Sequence, residues 1–490
     1  MGLKDIPNEI LNMIIGQLFR LKSPRDPANF REVRKHLLPA RLVCRRWNSI
    51  ATEHLYQTLE LAHTGTVNGD ESGFEGWNKT LDLEAARNAA QRVIIQSCSK
   101  KSRQFGDWED WKNGEYDAFT SAIKRIKQLP NIRAIELHFS EKCKGRWSNF
   151  HNPWNDVEPS ETRLDTLKAV FEAIRERAVQ PNTEVSTIRS LTIRNLQNMP
   201  HQELVNSGLF KDVAKNIDSL HLLVTEEYNE HGPDRDVFME ERLEFESHLQ
   251  QQFLPHFAVN LTALTLNFHE CWGTMPGYFD GAGLEFPRLK TLNLGNFVIS
   301  NDRHLDWVLS QKSLETLHLD SCHIVSHIQV DTEETKEWDL HKEDWQRLPK
   351  GSYGISHDSA ELYRFDGTWE STFDKIRNNL PHLKDFRFDA QSYGLHFLHP
   401  SRIGTVLHPS RYINFDAGIC PSPWLTSDSE TGEMYFGDDE CSMNRSEETK
   451  EGDSRAFSDL LSACNERHEE CEVQVTTGRY PYRAEIQNRQ

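Results

Sequence analysis

Long apolar runs are missing: no window of the 490 residues approaches 18 consecutive apolar side chains, so no transmembrane helix is expected. The first residues, Met1-Gly2-Leu3-Lys4-Asp5, bring an acid at once and no uninterrupted apolar core, unlike a secretory leader. Cysteine is sparse. Nine thiols, an odd number with no C-x-x-C pair, fit reduced and mostly buried side chains better than a disulfide framework. That usage points to the cytoplasm and/or nucleus. Positive charge is short as well, since 56 Lys and Arg face 75 Asp and Glu, a formal charge of −19. Such a balance argues against a general nucleic-acid backbone binder, which needs a basic surface to release counterions. Neither nucleic acid nor membrane is therefore expected as a partner. Catalytic signatures are missing too: no Walker loop, no dinucleotide fingerprint after a strand, no G-x-S-x-G elbow and no H-E-x-x-H. No cofactor is expected.

Against that background, residues 1–60 stand apart, with ten bases against six acids. Ile6, Ile10, Leu11, Ile14, Ile15 and Leu18 recur at helical spacing around Pro7, a residue tolerated at a helix start. A second periodic stretch is led by Pro39 and carries Leu42, Val43, Trp47 and Ile50. Pro24 and Pro27 lie between the two and make a continuous helix improbable. The expected unit is a helical module over residues 1–54 with an insertion near 20–36. So short a module cannot bury all its apolar surface, and part of it is expected to be a docking face.

Two half-motifs carry a resemblance. Leu3-x-x-Ile6-Pro7-x-Glu9-Ile10-Leu11-x-x-Ile14, followed by Arg41-Leu42-Val43-Cys44-Arg45-Arg46-Trp47-x-x-Ile50-Ala51, resembles an F-box. The fungal F-box proteins are the most similar, because a Leu-Tyr-x-Thr-Leu-x-Leu strand often follows, here Leu55 to Leu61. The resemblance implies docking on the Skp-type adaptor of a cullin–RING ubiquitin ligase. Ile6, Pro7, Ile10, Leu11, Ile14, Val43, Cys44 and Trp47 are the matching adaptor-binding positions. An acidic adaptor would favour the local positive charge, mainly through encounter rate. One departure is the link, which the family keeps short and which here separates Leu18 from Leu38.

From residue 119 onward one phrase recurs: a short amphipathic helix, a break, then an apolar-spaced strand. The first copy sets Phe119, Ile123, Ile126 and Leu129 on a helical face, breaks at Pro130-Asn131 and continues as Ile132-x-x-Ile135-x-Leu137. Strands of the same form begin at Ile188, Ile217, Leu261, Leu289, Leu314 and Leu383. This resembles the leucine-rich repeat, L-x-x-L-x-L-x-x-N/C-x-L. Leu314, Leu317, Leu319, Cys322 and Ile324 complete the pattern. Elsewhere the Asn/Cys position holds Leu196, His269 or Phe297, so the inner turn must be tied in another way.

A closed barrel or doubly wound sheet is the rival, but its central strands read as near-continuous apolar runs. Here Ile135-Glu136-Leu137-His138 and Leu317-His318-Leu319-Asp320 alternate, so one face is expected to be wet. The expected fold class is a small all-α F-box module followed by an α/β leucine-rich-repeat-like solenoid, an open horseshoe with its parallel sheet on the concave side. The irregular repeat domain is placed at 55–424 with long loops, and 325–360 shows no clear strand. An acid-rich, unstructured segment is placed at 425–455, a C-terminal helix at 456–472 and a flexible tail at 473–490.

Outward positions of such strands would form one stripe along the concave face. The candidate substrate-binding residues there are Glu136, His138, Arg194, His221, Asn267, Asn293, His318, Asp320, Arg387 and Asp389. Both charge signs occur, which suits a folded protein surface more than a polyanion. His318 and Asp320 lie two apart and so share a face, but no nucleophile is tied to them. Cys464-x3-His468-x2-Cys471 offers three metal-capable side chains and lacks a fourth, so a polar helix end is the reading and no metal is expected. With the F-box resemblance, the expected function is the substrate-recognition subunit of a Skp–cullin–F-box type E3 ubiquitin ligase. It would perform no bond chemistry and would hold an unknown protein target near a charged ubiquitin-carrying enzyme. The alternatives are a repeat-containing interaction module without a ligase role, and an α/β enzyme.

Overall fold

A computed structural model describes residues 6–20, 37–62, 74–97, 117–144, 158–179, 184–226, 239–332, 335–336, 338–354, 360–389, 407–416, 424–427, 434–437 and 445–474. Residues 21–36 of the expected insertion and the tail beyond Gln474 lie outside the described residues.

The N-terminal module is helical. Helix α1 (Asn8–Arg20) begins directly after Pro7, whose carbonyl accepts from the Leu11 amide at 3.0 Å. A single helical turn follows at 37–40, and then α2 (Arg45–Tyr56), entered through Cys44 in extended conformation. Leu11 and Ile15, one turn apart on α1, pack with Leu37, Ala40, Ile50, Ala51 and Leu55 into a small core of their own. Arg46 ties the two helices, because its side chain donates to the Ile6 carbonyl and to the Asn8 side chain. Tyr56 packs against both this core and the larger one beyond it.

The rest is a mixed sheet-and-helix domain whose sheet is mostly parallel. Strands β1 (Thr58–Ala62), β2 (Arg92–Gln96), β3 (Ala134–His138), β4 (Ser190–Gln197), β5 (Ser219–Thr225), β6 (Ala263–Trp272), β7 (Thr291–Ile299) and β8 (Thr316–Asp320) follow in order. Each pairs in parallel with the next. The register is kept throughout: Thr58, Arg92, Ala134, Ser190, Ser219, Ala263, Thr291 and Thr316 lie side by side. Because side chains alternate along a strand, the even positions of every unit share a face. Those positions, from Leu59 and Leu61 to Leu317 and Leu319, are sealed in one continuous core. The apolar residue that opens each phrase, as in Ile132, Leu261 or Leu314, is sealed with them.

After β8 the chain leaves this series and returns to it. Strand β9 (His323–Asp331) pairs with the end of β7, and beyond it come β10 (Trp345–Arg347) and β11 (Ala360–Phe365), antiparallel to each other. Strand β12 (Asp385–Asp389) then resumes the parallel series beside β8, and β13 (Tyr412–Asp416) pairs with β9. Residues 325–360 therefore contain strand, contrary to expectation. Their pattern escapes the repeat phrase because β9 pairs antiparallel with β11 and parallel with β13, outside the helix–strand series. The acid-rich 425–455 segment, expected to lack structure, holds a two-stranded pairing of Trp424–Ser427 with Met434–Gly437. The C-terminal helix also starts earlier than expected, at Lys450, and runs to Gln474.

Two devices tie the turns. Asn195 and Asn296 sit just past the core of β4 and β7 with positive φ of 56° and 58°. Their side-chain amides donate back to the preceding strand's carbonyls, Asn195 to Phe139 at 2.9 Å and Asn296 to Phe268 at 2.6 Å. Asparagine tolerates this left-handed backbone better than most side chains. Cys322 supplies the equivalent contact in its unit, with its thiol 3.4 Å from the Leu294 carbonyl. Buried arginines do similar duty elsewhere: Arg177 donates to the carbonyls of Leu129, Pro130 and Ser186 at 2.7, 2.5 and 2.5 Å.

Candidate functional site

Helical spacing gives α1 two faces. Leu11 and Ile15 turn inward, while Ile10, Met13 and Ile14, at i, i+3 and i+4, are exposed. Leu38, Leu42 and Val43 extend the exposed apolar surface before α2, with Leu42 87% and Val43 58% accessible. Six of the nine large hydrophobic side chains exposed among the described residues lie in this module. Apolar exposure is thus concentrated in one place, as at a protein-docking surface.

Of the eight expected docking residues, Pro7, Ile10, Ile14, Val43 and Cys44 are exposed, while Ile6 and Trp47 are half-buried against the module core. Leu11 requires a correction: it is fully sealed and holds the two helices together, which leaves it nothing to offer a partner. Met13, Leu38 and Leu42 belong to the exposed set and were missed. Their signal was present, because Met13 falls on the Ile10–Ile14 stripe and Leu42 lies four residues after Leu38.

The register brings the expected substrate-binding residues onto one face of the parallel sheet, but that face is not the open wet surface expected. Glu136, His318, Asp320 and Asp389 are buried, and His138, Arg194, His221, Asn267, Asn293 and Arg387 are half-buried. The reason lies in the stacking of equivalent positions on neighbouring strands, which lets polar side chains satisfy one another. Arg92 pairs with Glu136, which also meets His138 at 3.2 Å. In the middle, His221 bonds Thr265 through Nδ1 at 2.8 Å, and the Asn293 amide donates to the same hydroxyl at 3.0 Å. Burial, reinforced by the Arg92 charge, pushes His221 down to about 4, so it is neutral near pH 7. Towards the last strands, His318 reaches Asp389 across 3.0 Å, and Arg387 pairs with Asp385 at 2.9 Å. The stripe is a lateral hydrogen-bonded ladder with charged groups gathered at its two ends.

Other reactive side chains are held in structural settings. Burial pushes the Cys464 thiol up to about 11 and the Cys271 thiol to about 12, which keeps both protonated near pH 7. His468 is exposed, and the Cys471 side chain lies outside the described residues. Among the described residues no group of three or more His, Cys, Asp or Glu is placed to hold a metal ion. No helix among them is long and apolar enough to cross a membrane.

No curated protein matches the chain. Residues 3–62, which contain α1, α2 and β1, match the F-box-like family, and this marks the module as an element of F-box/SCF-type protein interaction, whose typical partners are Skp-type adaptors.

Proposed function

We propose that this chain is the substrate-recognition subunit of a Skp–cullin–F-box type ubiquitin ligase, with no bond chemistry of its own. One observation carries the reading: the exposed apolar set of Ile10, Met13, Ile14, Leu38, Leu42 and Val43 within the F-box-like module. The body is read as an open leucine-rich-repeat-like solenoid. In support, consecutive strands lie side by side in chain order, and among the described residues β1 pairs only with β2 and β12 only with β8. Target binding is assigned to the polar face, through the half-buried His138, Arg194, Asn267 and Arg387 more than through the sealed members of the ladder. Holding a target beside a charged ubiquitin-carrying enzyme raises the effective concentration of its acceptor lysine, which is the whole of the catalytic contribution proposed.

The test is co-expression of the full chain with a Skp-type adaptor from the same source and capture through a tag on the adaptor. The wild-type chain is expected to be retained, and Ile14→Asp/Leu42→Asp to be lost while keeping the wild-type circular dichroism and melting temperature. Retention of the double variant, or failure of a well-folded wild type to bind, removes the adaptor assignment.

A further inference from the structure

A cleft of about 810 Å³ opens where α2 meets the loops entering β2 and β3. The module contributes Arg41, Arg45 and Glu53 to its lining, and the body contributes Asn88, Asn131 and Arg133. Several arginines of this acidic chain sit against a carboxylate, as Arg92 does Glu136 and Arg411 does Asp453. These three differ. Arg41 donates through Nε to a neutral partner, Asn48, at 3.1 Å, and among the described residues none of the three forms an ion pair. Glu53 is the single acid in the lining. Three unpaired guanidiniums on facing elements leave an excess of positive charge at a concave, polar site, which raises the local concentration of anions.

The chemistry of the walls narrows the ligand. Guanidinium offers parallel N–H donors that match phosphate oxygens, and the surrounding side-chain amides suit the remaining oxygens. No Phe, Tyr or Trp lines the cleft, and its one imidazole, His54, is held by Asn12 at 2.8 Å. We infer that this cleft binds a small, multiply charged phosphate compound. Because its contacts come from both α2 and the body, the bound anion rivets the F-box-like module to the recognition domain. On the receptor role proposed above, which this consequence rests on, it fixes the direction in which a captured target is presented.

Isothermal titration of the full chain alone with sodium tripolyphosphate tests the inference. Saturable binding is expected, weakened about tenfold by Arg133→Ala and further by Arg45→Ala/Arg133→Ala, since each removes a charge-assisted contact. Arg303→Ala, at an exposed arginine outside the cleft, should bind as wild type. Non-saturating heats, equal loss in the Arg303 variant, or preference for a hexaglutamate peptide over tripolyphosphate would each overturn it. The titration needs no adaptor, so its failure is distinct from a failure of adaptor capture.

Discussion

Arg411 donates through Nε to Asp453 Oδ2 across 2.8 Å, with the two side chains 4% and 0% exposed. This contact fastens the C-terminal helix to the start of β13. Asp453 also accepts from the Glu370 amide at 2.8 Å and the Thr449 hydroxyl at 2.7 Å, so its charge is compensated on both oxygens. Removing one member of a buried pair leaves the other charge stranded. Asp453→Ala is therefore expected to cost about 3–5 kcal/mol, read as a lower denaturant midpoint. Asp453→Asn keeps one acceptor oxygen and should cost less; equal loss in the two would mean that the retained acceptor contributes nothing and the lost charge accounts for the whole effect.

Leu11 and Ile14 lie on the same helix with opposite roles, and their variants should separate cleanly. Leu11→Ala opens the small module core and is expected to cost about 2–5 kcal/mol in that unit. Ile14→Ala removes exposed surface, so stability should stay within about 0.5 kcal/mol while adaptor capture weakens. Thermal melts paired with adaptor capture check both; a large stability loss in the Ile14 variant would show that it packs internally.

The pH dependence of stability has two opposed arms. His304 is fully buried as the neutral Nε2–H form, with Nε2 donating to the Phe279 carbonyl at 2.8 Å and Nδ1 accepting from the Ser300 amide at 3.2 Å. Burial pushes it down to about 4, as it does His323. The unfolded chain takes up these protons first, so this stability is complete above about pH 6.5 and is lost as the pH falls toward 4. Glu246 acts the other way. Its buried carboxyl, which accepts from the Gly273 amide at 2.9 Å, is pushed up to about 7, so its contribution is present at low pH and lost as the pH rises through 7. Glu246→Gln is expected to remove that arm and steepen the loss of stability on acidification from pH 7 to 4.5. Denaturant midpoints at half-unit intervals measure this, and an unchanged slope would contradict a buried neutral Glu246.

Much of this architecture was legible because two periodicities dominate it. The i, i+3, i+5 phrase found the strands whose first apolar residue is Ile or Leu, and it passed over β2 because Ala90 stands in that place before Val93 and Ile95. Alternation put Glu136 and His318 on the correct face yet could not report their burial, which depends on Arg92 and Asp389 in neighbouring strands. Asp453 read as one more acid in an acidic run, since the partner that buries it is 42 residues away. In the docking face, spacing distinguished inward from outward positions only once the second helix was placed. Leu11 and Ile14 both look apolar and periodic until Ile50 and Leu55 cover one of them.

Asn296 offers a test of how the turns are tied without the usual repeat residue. Its φ of 58° penalises any side chain with a Cβ, and its amide adds a bond of 2.6 Å to the Phe268 carbonyl. Asn296→Gly relieves the backbone but loses the bond, and should cost about 1 kcal/mol. Asn296→Ala loses the bond and adds the left-handed penalty, together about 2–3 kcal/mol. The ordering Asn, Gly, Ala in denaturant midpoint is the expected result. If Gly equals Asn, the amide bond carries no stability and backbone conformation alone explains the asparagine. If Gly falls with Ala, the bond carries all of it, and Asn195→Gly should then fall by a similar amount through its bond to Phe139.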